Sequence, residues 1–278
     1  MNPLSETIMN KFPAILLALI LFLFTGLKAG VAQDQIAVPL SNPGQHGQLS
    51  LKMITGAVEV SGYEGDEVII RHDSQHMAAR DQDETRNGMQ RLTRSGRGFE
   101  VQELNNQVRI SGVSPTENIS FEILVPYNFS LNISLVNGKK LHAEGVRGTL
   151  ELNNVNGNIT LENVGGSAVL NTVNGNIIAT FLSVDPESPM AFSNVNGDID
   201  ITYPSDTQFN ARMKSDLGDV FTDFDMDILN ESGERTINVG TETISFSINR
   251  WIDATVNGGG PEYRFQTLRG DVLVRKGE

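Results

Sequence analysis

The sequence predicts an all-β protein, specifically a β-solenoid of short strand-turn units with about two nine-residue units per coil. Three observations predict it. A nine-residue unit recurs nine times, with apolar side chains at its first, third and sixth positions and glycine at its eighth. The corners of successive units alternate in kind, rich in asparagine and then not. The composition, 6% aromatic with 27 glycines in 278 residues, suits many thin coils better than one thick core. Self-similarity at a fixed short period marks stacked structural units.

The unit is clearest in Leu150-Glu-Leu152-Asn-Asn-Val155-Asn-Gly157-Asn, then from Ile159 and from Ala168. Other copies begin at Leu49, Val58, Leu131, Leu141, Met190 and Tyr263. Positions one and three alternate with polar residues, the period of a strand that buries one face. Residues three apart point to opposite faces of a straight strand. A bend is therefore expected to turn position six inward, making Val155, Val164 and Val173 core residues with Leu150, Leu152, Ile159, Leu161 and Leu170. The glycine two places later supplies a turn with φ > 0. Asparagine corners at 153–156, 171–174 and 193–196 alternate with plain corners at 144–147 and 162–165. Equivalent corners thus return every 18 or 19 residues in the cleanest stretch, where stacked coils would ladder the asparagines. The rival fold is an up-and-down meander, because Val155-Asn156-Gly157-Asn158-Ile159 is also a hairpin signal. An odd period would flip the apolar face at each straight strand, which corners avoid.

Ahead of the repeat, Phe12 to Leu27 is an apolar run between Lys11 and Lys28, followed by the small residues Gly30-Val31-Ala32. Residues 1–32 read as a secretory signal peptide. A retained membrane anchor is the alternative, but sixteen apolar residues are short for a spanning helix. No cysteine occurs, which excludes a lipoprotein anchor and any disulfide. Beyond residue 32 the chain carries 19 basic and 33 acidic residues, a net charge of −14. Such a surface is poorly suited to nucleic acid or to anionic lipid headgroups. Contact with a membrane is expected only through the export signal.

Residues 33–278 read as one β-solenoid domain. Two units from Leu49 run into Glu67-Val68-Ile69-Ile70-Arg71, and a polar excursion follows at 72–98. Strands resume at Phe99, Val108 and Ile119, and coils run from Leu131 to about Ile177. Asp185-Pro186-Glu187-Ser188-Pro189 inserts a loop before the repeat returns at Met190. After Gly218-Asp219-Val220 the register loosens, and a final unit from Tyr263 is expected to close the stack.

Several of these segments fit one family pattern. They are Ile54-Thr-Gly56-Ala-Val58-Glu-Val60, the Val125-Pro126 turn, the serial Val-Asn-Gly-(Asn/Asp)-Ile turns, and Val256-Asn-Gly-Gly-Gly260-Pro261 followed by Thr267-Leu-Arg-Gly270-Asp-Val272. As an ordered set they resemble the bacterial putative-adhesin β-solenoid family, also called the toastrack domain, over roughly residues 47–276. The resemblance implies an extracytoplasmic β-solenoid of the cell envelope, found in the periplasm, at the cell surface or secreted. It supplies no catalytic residues, and the insertion at 72–98 departs from the family's compact form.

The sequence presents no catalytic, cofactor-binding or metal-ligating set. His72 and His76 are four apart but lack the glutamate of a zinc-protease motif. His46 and His142 stand apart, and no serine motif accompanies them to build a hydrolytic triad. Asp223-Phe-Asp225-Met-Asp227 with Glu234 imitates a calcium loop, but Ile228 stands where its glycine belongs. Gly258-Gly259-Gly260 lacks the lysine of a phosphate loop and reads as a tight turn. Asn118, Asn128, Asn132 and Asn158 begin glycosylation-type triplets that read more simply as strand and turn asparagines. The expectation is a non-enzymatic binding or structural module whose partner is an envelope protein or a surface polymer. The alternative, a carbohydrate-active β-helix enzyme, rests on fold analogy.

Overall fold

The computed structural model describes residues 35–73, 85–86, 89–90, 98–113, 118–239 and 244–277, without the side chains of 85–86, 89–90, 230–239 and 244–250. The signal peptide read at 1–32, and His76 with most of the 72–98 excursion, lie outside these residues. Inside the excursion, Thr85–Arg86 pairs with Met89–Gln90 in a small separate sheet. Among the described residues every regular element is a strand, and the fold is all-β and β-solenoid-like.

The alternating strands lie parallel to one another in two stacks. In the front stack Leu150 sits opposite Leu131 and Ala168. In the back stack Ile159 sits opposite Leu141 and Ile177. The meander's antiparallel pairing of 150–155 with 159–164 is absent among the described residues. Ladder partners are 18 or 19 residues apart in this stretch. Gly157, Gly175 and Gly197 stack at the asparagine corner, where each glycine N–H donates to the next coil, and Gly148 and Gly166 stack at the opposite, return corner.

Coil order in space differs from coil order in sequence. The strand Gly47–Tyr63 lies between the strands at 107–125 and Phe129–Glu144. The pair Glu262–Thr267 and Val272–Lys276 lies between the coil at 190–203 and the coil at 209–222. The unit from Tyr263 therefore does not close the stack as expected. It is the second coil from the end, and the end is formed by Phe209–Ser215 and Val220–Thr222. Beyond Phe209–Ser215 the front stack continues antiparallel through Ile244–Val256 and Met226–Val239, a long strand pair where the sequence reads only as loosened register. At the other end Glu100–Leu104 covers the front stack, while Glu67–His72 and Gln35–Pro39 cover the back.

One continuous apolar core fills the space between the stacks. Leu150, Leu152, Ile159, Leu161, Val164 and Leu170 are fully buried as expected, each burial stabilising by about 1.5–3 kcal/mol. Val155 and Val173 are not buried; they are 37% and 39% exposed. The reason is that strand alternation continues through position five on this side of the coil, so position six points outward. Position five is the inward one: Met53, Leu135, Asn154, Thr172, Asn194 and Thr267 are all buried. Only at the return corners does position six turn in, as Val146 and Val164 do.

The buried polar residues at position five hold glycine carbonyls of the neighbouring coil. Asn154 Nδ2 donates to Gly138 O at 3.0 Å, and Asn154 Oδ1 accepts from Gly138 N at 3.2 Å. Thr172 donates to Gly157 O, Asn194 to Gly175 O, Thr267 to Gly197 O and Ser215 to Gly270 O.

Towards the end of the stack the core becomes aromatic. Tyr203 packs on Phe181, Phe209 and Tyr263, and Phe209 stacks on Tyr263 at 4.8 Å. Phe224 meets Phe209 edge-on at 5.8 Å and plugs the end. The Tyr263 hydroxyl is buried without a hydrogen-bond partner. Burial, reinforced by the Asp185 carboxylate, pushes it up to about 12, and burial pushes Tyr203 well above the usual phenol range.

Two outcomes follow from this packing. Asn154→Ala strips both partners from Gly138, at about 1–3 kcal/mol for each buried group left unpaired. It should lower the melting temperature by roughly 5 °C or more. Val155→Asp, on the outer face, should change it by no more than about 2 °C. Equal losses in thermal melts would refute the inward assignment of position five. The buried tyrosines make stability fall at alkaline pH. Their folded pKa values lie above the unfolded value of about 10, so the stability they confer is complete below pH ~10 and declines as pH rises through that value. Tyr263→Phe should match or exceed the parent's stability at neutral pH and lose less above pH ~10. A steeper alkaline loss in a series of melts from pH 8 to 12 would contradict this.

Candidate interaction surface

The outward position six forms a ridge. Ile54, Val136, Val155, Val173, Val195 and Leu268, one from each of six consecutive coils, are each 37–41% exposed. At the usual strand spacing of about 4.8 Å the ridge is roughly 24 Å long. Its residues are far apart in sequence and meet only because the coils stack in register.

An asparagine ladder flanks the ridge on one side and an asparagine pair on the other. On one side Asn156 Nδ2 donates to Asn137 Oδ1, Asn174 to Asn156 and Asn196 to Asn174, all at 2.8–2.9 Å. On the other Asn171 donates to Asn153 at 3.0 Å. An amide has two N–H donors and two carbonyl lone pairs. A ladder bond uses one donor below and one lone pair above, which leaves one of each on the outer side. A third row lies past the glycines. Asn158, Asn176, Asp198 and Asp271 each accept a backbone N–H from the adjacent coil through Oδ1, at 2.9–3.0 Å.

Other sequence candidates fall elsewhere. The calcium-like segment cannot curl round an ion, because from Met226 onward it is extended strand. Asp223 Oδ1 instead accepts the Lys276 backbone N–H. Gly258-Gly259-Gly260 is the tight turn expected, with Asn257, Gly258 and Gly259 all at positive φ. His72 meets Phe99 edge-on at the end of its strand, and His142 Nδ1 lies 4.0 Å from Glu162. Asn128, Asn132 and Asn158 are engaged by His46, Glu151 and Asn176 respectively.

One constellation escapes the sequence, since its members are 82 and 84 residues apart. His46 Nε2 lies 2.8 Å from Ser130 Oγ, and its Nδ1 lies 3.0 Å from Asn128 Oδ1. This copies the connectivity of a nucleophile, base and orienting group. However, Ser130 is only 7% exposed, and its Oγ already accepts the Thr149 N–H at 3.0 Å. His46, Ser130, Thr149 and Glu151 line a pocket of about 310 Å³. The set fastens the 41–46 turn to the coil, helped by Asn106 bonding to Asn42 and by Ser41 bonding to Glu103. Both Ser41 donors hold the Glu103 carboxyl below its ordinary range. A second cluster surrounds Trp251, where Arg212, Lys214 and Arg264 lie 4.9–5.8 Å from the ring. Each cation also faces a carboxylate, Asp253, Asp216 or Glu262, so the patch is internally neutralised.

Residues 136–245 match the family Toastrack DUF4097. No curated protein matches the chain. Among solved structures, a putative cell adhesion protein from Clostridium sporogenes is similar at 12% identity and a TM-score of 0.42, over 88% of this chain and 100% of that one. A putative adhesin from Bacteroides fragilis is similar at 9% identity and a TM-score of 0.27, over 89% of this chain and 98% of that one. The family that the Val-Asn-Gly turns resemble is therefore the toastrack family, matched across residues 136–245.

Proposed function

We propose that the chain is an exported, non-catalytic binding module of the cell envelope, and that its asparagine corner grips a linear surface polysaccharide. On this reading residues 1–32 are removed on export, residues 33–278 form one domain, and each coil is built of two nine-residue units. The carrying observation is the ridge of six apolar side chains between an asparagine ladder and an asparagine pair. A surface that repeats every strand spacing favours a ligand that also repeats along a line. The ridge offers contact to the C–H faces of sugar rings, and the outer amide donors and acceptors match hydroxyls. Acid-base glycoside cleavage would need two carboxylates facing each other across the scissile bond. The corner carboxylates Asp198 and Asp271 instead point along the stack to backbone N–H groups.

The test is binding of the exported chain to purified envelope polysaccharide, measured by co-sedimentation and calorimetry. The double variant Val155→Lys, Val173→Lys should melt close to the parent yet bind about tenfold or more weakly, a loss of roughly 1.4 kcal/mol. Unchanged affinity would refute the corner as the contact. Turnover of the polymer, abolished by one carboxylate substitution, would refute the non-catalytic reading.

A further inference from the structure

The two stacks end unevenly. Past Phe209–Ser215 the front stack gains two further strands, from Ile244–Val256 and Met226–Val239. The back stack ends at Val220–Thr222, whose only strand partner among the described residues is Val272–Lys276. The front stack thus overhangs the back one by two strands at this end. Its overhanging strand presents Ile228 at a core-facing register position, opposite Ala254, yet Ile228 is 57% exposed. Leu229, the bulged residue beside it, and Phe221 on the edge strand are also exposed. The other end differs, for there the back stack is covered by two antiparallel strands.

The open edge has unpaired backbone. Val272 N donates to Asp219 O, so by strand alternation the amide and carbonyl groups of Val220 and Thr222 face away from the sheet. Such an edge is a template for another strand. Charge narrows the occupant. Residues 216–227 contain five aspartates and no lysine or arginine. Asp219 lies at one end of the edge strand, and Asp223 and Asp225 follow the other. Lys214 is paired with Asp216 and Arg275 with Asp200, while Lys276 lies beside Asp223, whose Oδ1 accepts its backbone N–H. Two copies of this end would bring like charges together, which disfavours self-association.

We infer that the free edge of Val220–Thr222, beneath the overhang bearing Ile228, docks an extended peptide segment of alternating apolar and basic residues as an added β-strand. Strand addition supplies main-chain hydrogen bonds for affinity and alternate side chains for specificity. The apolar side chains would cover Ile228 and the end of the core near Phe224. The basic ones would meet Asp219 and Asp225. The inference concerns a different surface from the asparagine corner and stands apart from it.

The experiment uses the exported chain and two capped ten-residue probes, one alternating valine with lysine and one alternating valine with glutamate. Fluorescence anisotropy should show the lysine probe binding about tenfold or more tightly than the glutamate probe. Hydrogen exchange should show Val220 and Thr222 amides slowing when the lysine probe binds. Phe221→Lys should weaken binding, and so should the double change Asp219→Asn, Asp225→Asn, which leaves the core untouched. Equal binding of the two probes, unchanged affinity in both variants, or protection at a different surface would overturn the proposal. So would a stable dimer of the chain alone with those amides already protected, since the occupant would then be a second copy.

Discussion

The stack depends on one close approach, between the glycine of each asparagine corner and the glycine of the coil beside it. A Cβ built on Gly157 would lie 1.9 Å from Gly138 O, and on Gly175 it would lie 2.3 Å from Gly157 O. With φ near +132° and +159°, both backbones also sit where side chains are strained. Because nothing separates the coils here, the glycine carbonyl is within reach of the buried asparagine or threonine at position five. A buried carbonyl needs a donor, and that bond fixes the coils in register. Everything outside the corner inherits this register, including the ridge and the ladders.

Register explains which polar residues the corners tolerate. In-register stacking puts like on like at a spacing of about 4.8 Å, where equal charges repel and amides bond. The row beside the ridge on the glycine side is therefore asparagine from Asn137 to Asn196. Aspartate enters only past the glycine, at Asp198 and Asp271, where a backbone N–H of the next coil meets each carboxylate.

The repeat made the strands, the glycine turns, the parallel pairing and most of the core legible. It misplaced Val155 and Val173, because apolarity at position six is compatible with either face once neighbouring valines can pack on one another along a ridge. Nor does hydropathy reveal that Asn154 and Thr172 are inside, since their burial depends on a carbonyl 15 or 16 residues away. Coil order was equally hidden. Thr267 bonds to Gly197, 70 residues distant, through the same motif that joins sequence neighbours elsewhere. Identical units carry no address. The strand pair Met226–Val239 and Ile244–Val256 lacks the nine-residue signature because its pairing is antiparallel.

The same logic shapes where recognition can arise on such a chain. A catalytic centre needs unlike groups converging on one point, whereas translation along the stack spreads like groups along a line. Along the coils, then, the fold favours extended contact over chemistry. Convergence becomes possible only where translation stops. One such place is the turn at 41–46, where His46 meets Ser130 and Asn128 beside a pocket that Thr149 and Glu151 also line. Another is the uneven end beyond Val220–Thr222, where the front stack outruns the back. There the unpaired edge, the uncovered Ile228 and the aspartates at the margins occur together. The last coil carries these features because, among the described residues, its back strand has no further neighbour to pair its backbone and cover its apolar residues.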